Sequence, residues 1–176
     1  MGLKDFHDNE MGIYFSPAWF PELSSNTLAV TQFFGTRRNV GTPFEFIEIS
    51  HADIIVNYRD YDYVWDNSKE GNFGQFDLPS VIIHEMGHFL GLRHEKSDEL
   101  AVMQDSLGRF HRYRDLYTPD TQAMQELYQN SELTTSEVPT ALKFSPDESQ
   151  PVRGILKLKA DGTCVHDLNG GEIERH

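Results

Sequence analysis

The spacing of apolar positions predicts several strands and one helix in the N-terminal part of the chain. Gly12-Ile13-Tyr14-Phe15-Ser16 has the pattern of a short strand, and two further strands are predicted at about 44–49 and 52–57. Between them, residues 21–39 contain a helix-like run of apolar positions, namely Leu28, Val30, Phe33 and Phe34. A helix there could be capped near its start by Ser24, Ser25 or Asn26.

Two stronger helix signals follow. Phe76-Asp77-Leu78-Pro79 leads into an apolar run, in which Asp77 is suited to the N-cap and Pro79 to the first turn. A last helix is predicted from about Pro119 to Tyr128. Residues 58–75 and 95–117 have no clear period and are predicted to be irregular, with room for a short strand in the first of these segments.

The composition changes after residue 130, which suggests a boundary. Residues 131–150 are rich in Ser, Thr, Glu and Pro, as linkers often are. Residues 154–166 alternate around an Asp-Gly pair, which suggests a β-hairpin, and Leu168-Asn169-Gly170-Gly171 could make another turn. We therefore predict a main domain over 1–130, a linker-like segment over 131–150 and a C-terminal extension over 151–176.

The stretch that says most about function is His84-Glu85-Met86-Gly87-His88-Phe89-Leu90-Gly91-Leu92-Arg93-His94. Residues four apart on a helix lie on one face with Cβ atoms roughly 5–6 Å apart, so His84 and His88 can reach one metal ion. Gly91 can adopt the left-handed conformation that ends a helix, and this turn would bring His94 back as a third ligand. A catalytic zinc needs three such protein ligands and one open position.

Glu85 has the position that a general base requires. It lies about 100° around the helix from His84, so it borders the metal and can take a proton from metal-bound water. The five-residue pattern would arise by chance in roughly one such chain in ten thousand, which argues against an ordinary histidine pair. The apolar neighbours of the motif are predicted to be core residues without a catalytic role: Val81, Ile82, Ile83, Met86, Phe89 and Leu90.

This motif resembles the extended zinc-binding sequence of the metzincin metalloendopeptidases, which is followed by a methionine turn. Met103 lies nine residues after His94, a short spacing similar to that of the matrixins, the matrix-metalloproteinase branch. An ordinary core methionine is the alternative. Ala52-Asp53-Ile54 and Thr118-Pro119-Asp120 also resemble matrixin segments, so the similarity covers roughly residues 11–130.

The resemblance implies a fold and a set of roles. The fold class is α+β: a zincin/metzincin-like catalytic domain over 1–130, with a twisted mixed β-sheet, an upper helix, a zinc-binding active-site helix and a small lower subdomain that ends in a C-terminal helix. One catalytic Zn²⁺ is implied, with Glu85 as the catalytic residue. Met103 and Gly91 are implied as structural residues at the zinc site, whose metal ligands are His84, His88 and His94.

Several residues depart from the matrixin pattern. Glu95 follows the third histidine where matrixins usually carry serine, and Gln104 follows Met103 in place of a Tyr-Pro pair, so the wall of the specificity pocket is not specified. Asp105 stands where some related branches have a metal-bound tyrosine. The segment before the zinc-binding helix is short, and residues 58–77 contain no histidine. We therefore predict no second, structural zinc. Ca²⁺ binding is left open, and no ligands are assigned to it.

Composition and charge narrow the expected partners. The formal net charge of −13 argues against nucleic acid and anionic membrane surfaces, and no stretch is long and apolar enough to span a bilayer. The single cysteine, Cys164, excludes an intrachain disulfide. We expect a monomer that is secreted or lies in the cell envelope or periplasm, although no signal peptide is visible. We also expect it to be a minimal, atypical member of the family from a bacterium.

The C-terminal extension contributes three side chains that can bind metal. Matrixins are often held latent by a propeptide cysteine at the zinc's open position, and Cys164 could play that part from the C-terminal side. We expect Cys164 instead to be a half-buried tail cysteine. His166 and His176 are expected to be surface histidines.

The sequence thus predicts a zinc-dependent endopeptidase in which Glu85 activates a zinc-bound water. Its protein or peptide substrate would bind in an extended conformation beside an edge strand. One alternative is another zinc hydrolase, an exopeptidase or amidase that acts on small peptides. A second is a catalytically blocked, zincin-fold binding module whose cleft is closed by the tail. The presence of Glu85 argues against this last alternative, because a purely structural zinc needs no general base.

Overall fold

The protein has an α+β fold, as predicted, in the part of the chain that the computed structural model describes: residues 2–8, 10–41, 45–66, 75–95, 100–107, 112–132, 150–169 and 171–175. A 3₁₀ turn, Leu3–Phe6, comes first. The other elements are β1 (Gly12–Ser16), β2 (Thr27–Arg38), β3 (Phe46–Asn57), β4 (Tyr63–Val64), β5 (Phe76–Asp77), α1 (Leu78–Phe89), α2 (Thr118–Glu132), β6 (Gln150–Lys159), β7 (Cys164–Leu168) and β8 (Gly171–Arg175). β1 has the predicted bounds.

Six of the strands form one mixed sheet in the order β1-β3-β2-β6-β7-β8, and β4 pairs with β5 in a separate two-stranded ribbon. β1 runs parallel to β3, whereas the other pairs of the large sheet are antiparallel. β6 lies beside β2 from Thr27 opposite Lys159 to Arg37 opposite Gln150. The C-terminal strands therefore extend the same sheet that the N-terminal strands begin.

β6 and β7 form a hairpin around Asp161-Gly162, as the alternating pattern predicts. Residues 131 and 132 end α2 and residue 150 begins β6, while 133–149 of the predicted linker lie outside the described residues. The division of the chain into a domain over 1–130 and an extension over 151–176 stays a prediction.

The predicted upper helix between Pro21 and Asn39 is wrong, because Thr27–Arg38 is strand β2. Residues 27–32 are all buried, so this part of β2 is covered on both faces. A strand of that kind shows a continuous apolar run in place of alternation, and such a run is easily mistaken for a helix face. Its β-branched and aromatic residues favour a strand, and pairing with β3 and β6 on its two sides decides the outcome.

The two strands predicted at 44–49 and 52–57 are one continuous strand, β3, although residue 44 lies outside the described residues. A bulge explains the break in the pattern. Phe34 pairs with His51 and Gly35 pairs with Ile49, which leaves Ser50 as an extra residue on β3. One extra residue shifts the alternation of side chains between the two faces, so the sequence reads as two strands.

Each face of the large sheet carries a buried apolar cluster. The cluster beside α1 consists of Leu28, Ala29, Ile54, Val56, Phe76, Val81, Leu107, Leu158 and Cys164. The cluster beside the N-terminal segment consists of Leu3, Trp19, Phe20, Leu23, Val30 and Ile55. α1 packs on β2 and β3, so one sheet face supports the helix that carries the histidine motif. None of the helices in the described ranges is long and apolar enough to cross a membrane.

The start of α1 is fixed by Asp77, which is the N-cap as predicted. Its carboxylate accepts hydrogen bonds from the Ser80 backbone N at 3.1 Å and the Ser80 hydroxyl at 2.6 Å. The Arg114 guanidinium donates to both carboxylate oxygens. Burial raises the pKa of the Asp77 carboxyl, but the hydrogen bonds from Arg114 and Ser80 outweigh burial and hold the pKa below its usual value.

The last turns of α1 rest on the loop that carries Met103. A Cβ added to Gly87 would lie 2.1 Å from Met103 Sδ, so this contact requires glycine. Asp120, in the first turn of α2, holds the loop from the other side. Its carboxylate accepts hydrogen bonds from the backbone N of Val102 at 3.1 Å, of Met103 at 3.2 Å and of Tyr117 at 2.9 Å. Met103 is therefore fixed between the two helices.

Replacement of Asp77 tests the cap. Asp77→Ala should lower the free energy of unfolding by about 2–4 kcal/mol, because it removes the N-cap and leaves Arg114 without its carboxylate. The folded pKa of Asp77 lies below the ordinary value of 3.8. Its stabilisation is therefore present above that pH and is lost as the pH falls through the folded pKa.

Urea denaturation at several pH values measures both effects. Asp77→Asn, which keeps a capping oxygen, should lose less stability at pH 7 and should lack the acid-dependent part. Asp115→Ala is the matched control, because Asp115 is exposed. If Asp77→Ala cost no more than Asp115→Ala, the assigned role of Asp77 would be wrong.

Replacement of Gly87 by alanine tests the contact between Gly87 and Met103. At an exposed helix position, Gly to Ala would stabilise the helix by about 1 kcal/mol. At Gly87 we expect a loss of about 1–3 kcal/mol, because the new methyl group meets Met103 Sδ. Part of this loss should disappear in a Met103→Ala background, where denaturation of the double variant gives the coupling. A Gly87→Ala protein more stable than the wild type would show that the two residues do not touch.

Candidate active site

α1 and the turn after it bring the three histidines of the motif together. The rings of His84 and His88 lie 4.7 Å apart between centroids, and their Nε2 atoms are 3.2 Å apart. Gly91 has φ +93°, the left-handed conformation predicted for it, and the backbone N of Leu92 donates to the carbonyl of Gly87. The chain then turns back, so the His94 ring lies 5.5 Å from that of His84 and 4.9 Å from that of His88.

Backbone carbonyls orient two of these imidazoles. His84 Nδ1 donates to the Val102 carbonyl at 2.9 Å, and His88 Nδ1 donates to the Leu92 carbonyl at 3.0 Å. A carbonyl only accepts, so each Nδ1 carries the proton and each Nε2 keeps a free lone pair. Burial lowers the pKa of His84 to about 4 and lowers that of His88 well below its usual value. Both rings are thus neutral, which is the form that binds metals.

A fourth donor in the cluster comes from β7. One ligand atom from each of His84, His88, His94 and Cys164 can be chosen so that all four lie within 4.8 Å of one another. Cys164 Sγ is 3.7 Å from His88 Nε2. Cys164 is fully buried rather than half-buried as expected, and burial raises the pKa of its thiol well above the usual value. This cluster of three imidazoles and one thiol could hold a metal ion.

The donor set fits zinc. Zinc binds imidazole nitrogen at about 2.0–2.1 Å and thiolate sulfur at about 2.3 Å, usually as a tetrahedron in structural sites. Such a tetrahedron has edges of about 3.3 Å between two nitrogens and about 3.6 Å between nitrogen and sulfur. The distances of 3.2 Å from His84 Nε2 to His88 Nε2 and of 3.7 Å from His88 Nε2 to Cys164 Sγ agree with these edges.

Glu85 is completely buried between α1 and the sheet. Its Oε2 accepts a hydrogen bond from the Thr31 hydroxyl on β2 at 2.5 Å, and the same hydroxyl lies 3.2 Å from the Glu85 carbonyl. Glu85 Oε1 is buried and has no hydrogen-bond partner among the described residues. Burial raises the pKa of Glu85 to about 8, and a cation in the adjacent cluster would lower it again. One carboxylate oxygen is thus held in place while the other is open to a proton donor.

Met103 and Gly91 occupy structural positions close to the cluster. Met103 is 2% exposed and lies under α1 at Gly87, one residue before His88. Its carbonyl accepts a hydrogen bond at 2.7 Å from the backbone N of Glu95, directly after the third histidine. The structure therefore brings together every residue that the sequence assigned to the site. Their roles as ligands, base and support stay predictions.

The sequence did not predict several groups that contribute to the site. Thr31 lies in the segment predicted to be a helix, so nothing pointed to its contact with Glu85. The carbonyls of Leu92 and Val102 belong to the backbone and leave no side-chain signal. Asp120 had a visible signal, an acidic residue in the first turn of a helix, but its partners in the loop of Met103 were not predictable from that.

His166 also contacts the cluster. Its ring lies 4.5 Å from that of His94 and 5.2 Å from that of His88, and it is half-buried rather than at the surface as expected. His166 and Cys164 are two residues apart on β7, so both side chains point to the same face of the sheet. His176 lies outside the described residues.

Comparison with known proteins agrees with the geometry. Residues 49–129 match the model of the Matrixin family. Metalloendoproteinase 1 of Glycine max is 32% identical over 120 residues, which cover 62% of this chain and 39% of the relative. Metalloendoproteinase 1-MMP of Arabidopsis thaliana is 34% identical over 122 residues, which cover 64% of this chain and 33% of the relative. No solved structure matches the chain significantly.

The family match contains α1, the three histidines, Met103 and most of α2. The chain spans only about a third to two fifths of the length of these relatives. Both relatives are plant proteins, so they give no support to the predicted bacterial source. Residues 49–129 are thus similar to the Matrixin family, and the α+β fold is consistent with that of the metzincins.

Proposed function

We propose that the protein is a zinc-dependent endopeptidase that hydrolyses internal peptide bonds of protein substrates. The observation that carries this proposal is the convergence of His84, His88 and His94 beside the buried carboxylate of Glu85. A cluster of neutral imidazoles supplies metal ligands, and the adjacent carboxylate supplies the base that hydrolysis needs. The names of the two plant relatives agree with this activity.

In this proposal the three histidines hold the metal through Nε2 of His84, Nε2 of His88 and one ring nitrogen of His94. The Val102 and Leu92 carbonyls fix the first two rings in the tautomer that leaves Nε2 free. A bound zinc ion supplies Lewis-acid polarisation of the scissile carbonyl and lowers the pKa of water. The proton transfers of the reaction are carried out by side chains of the protein.

Glu85 acts as the general base and later as the general acid. Thr31 holds its Oε2, so Oε1 is the oxygen free to take a proton from the attacking water. The protonated carboxyl then gives this proton to the leaving amine. Burial keeps water from solvating the Glu85 carboxylate, which makes it a stronger base and favours uptake of the proton from the attacking water.

We further propose that the substrate binds in an extended conformation and that the protein is a monomer that is secreted or lies in the cell envelope or periplasm. Extended peptides add to sheets through main-chain hydrogen bonds.

One competing function has a specific observation in its favour: Cys164 and β7 cover the histidine cluster, as expected of a blocked binding module. Against it stands Glu85, whose buried carboxylate is costly to maintain and has no use in a purely structural zinc site.

Replacement of Glu85 tests the proposed base. Glu85→Gln keeps the size and the oxygen that accepts from Thr31 but cannot take a proton. We expect kcat/KM on a quenched library of internal peptide bonds to fall by about 10²–10⁴-fold, with zinc content unchanged by metal analysis. Glu48→Gln is the matched control, since Glu48 is an exposed residue of β3 paired with Arg38. Full activity in a zinc-loaded Glu85→Gln protein would remove Glu85 from this role.

Replacement of single histidines tests the ligand set. After reconstitution and gel filtration, the wild type should retain about one zinc ion per chain, and His84→Ala, His88→Ala and His94→Ala should each retain far less. His7→Ala is the control, because His7 is exposed and stacks on Phe34 away from α1. Zinc retention in all three ligand variants equal to that of the control would contradict the assignment.

A further inference from the structure

Cys164 is part of the same cluster as the three proposed zinc ligands. Its Sγ lies 3.7 Å from His88 Nε2, and the residue has no exposed surface. Three imidazoles beside it distinguish this thiol from an ordinary buried cysteine, because ligand atoms of all four residues lie within 4.8 Å of one another.

We propose that Cys164 is the fourth zinc ligand, and that β7 thereby holds the enzyme in a latent state. This inference rests on the proposed function, since it takes the three histidines as zinc ligands. A catalytic zinc keeps one position open for water, whereas a site with four protein ligands is closed. The Cys164 thiolate would occupy the position that hydrolysis requires.

Two distances within the cluster agree with those of a tetrahedral zinc site. The two distances that join His88 Nε2 to His84 Nε2 and to Cys164 Sγ are 3.2 Å and 3.7 Å. Two nitrogens on a tetrahedral zinc are about 3.3 Å apart, and a nitrogen and a sulfur are about 3.6 Å apart. A thiol that donates to His88 Nε2 would account for 3.7 Å, but two imidazole nitrogens that both carry lone pairs have no reason to approach to 3.2 Å, while a shared metal ion accounts for both distances.

The backbone around Cys164 is held beside the cluster by hydrogen bonds. The backbone N of Cys164 donates to the Asp105 carbonyl at 3.2 Å, and that of Leu107 donates to the Gly162 carbonyl at 2.9 Å. These bonds tie the start of β7 to the segment that follows Met103. Gly162 has φ +93°, and a Cβ there would lie 2.9 Å from the Leu107 carbonyl oxygen, so the close approach requires glycine.

β7 also packs against the cluster. His166, on the same face of β7 as Cys164, packs on the rings of His88 and His94. His84, Glu85 and His88 are at most 2% exposed, whereas His94 is half-buried, so a peptide bond cannot reach the first three residues in this arrangement of the chain. Access would require β7 to move, which would withdraw the Cys164 thiolate from the cluster; the thiolate would take up a proton from solvent and leave the fourth position free for water.

Spectroscopy on the full chain tests ligation directly. In the Co²⁺-substituted wild type we expect a thiolate-to-cobalt charge-transfer band in the near ultraviolet. X-ray absorption of the zinc form should show one sulfur at about 2.3 Å and nitrogens at about 2.0–2.1 Å. Cys164→Ser should lose the charge-transfer band and the sulfur at about 2.3 Å. A wild-type zinc bound only by nitrogen and oxygen would overturn the inference without affecting the proposed function, and this measurement needs no variant to fold.

Activity tests latency. Because the rate scales with the fraction of molecules whose fourth position is open, Cys164→Ser should cleave the peptide library roughly tenfold or more faster than the wild type. Val165→Ala is the matched control: Val165 is buried on the same strand but points to the opposite face. It should keep the sulfur signal and the low activity of the wild type. Equal activation by Val165→Ala would mean that loosening of β7, and not loss of the ligand, releases activity.

Two further outcomes separate the inference from the proposed function. If the wild type shows sulfur ligation but a folded, zinc-loaded Cys164→Ser protein is inactive, latency is wrong and the site is a closed structural one. If neither protein binds zinc, the proposed function fails and the inference fails with it. Cys164→Ala gives a second test of activation if the serine variant does not fold.

Discussion

The fold depends on the burial of a polar helix face. α1 directs His84, Glu85 and His88 into the protein, and each is at most 2% exposed. A buried polar group without a partner costs free energy of order 1–3 kcal/mol, so each of these side chains requires a partner at a fixed place. The partners are the carbonyls of Val102 and Leu92 and the hydroxyl of Thr31. These contacts tie α1 to the loop that carries Val102, to the turn after the helix and to β2.

The loop after the motif shows how the requirement is met. The Val102 carbonyl can accept from His84 only if its loop is held close to α1. Asp120 anchors the backbone N of Val102 and Met103 from below, and Gly87 allows Met103 to approach the helix. A side chain at Gly87 would push the loop away and leave the imidazole unpaired. Met103 therefore acts as a spacer whose position determines a hydrogen bond to a proposed zinc ligand.

Local signals made part of this site predictable from the sequence. The helix, its Asp77 cap, the turn at Gly91 and the return of His94 all depend on residues within one short segment, so their spacing carries the information. β2 was predicted wrongly because its strand state depends on neighbours far along the chain. Arg37 of β2, for example, pairs with Gln150 of β6. The contact of Cys164 with His88 spans 76 residues, and no local pattern encodes it.

The strands β6 and β7 have two effects on the site that oppose each other. β6 pairs along β2, the strand that carries Thr31 to Glu85, and so helps to hold the proposed base in position. β7, joined to β6 by a tight turn, carries Cys164 into the histidine cluster and covers it. Removal of the whole hairpin would therefore expose the cluster and also release one side of β2. A route to an open and competent site must move β7 while β6 stays paired, and the register shift between His166 and Asp167, where β7 meets β8, is a point at which the β7 pairing is already irregular.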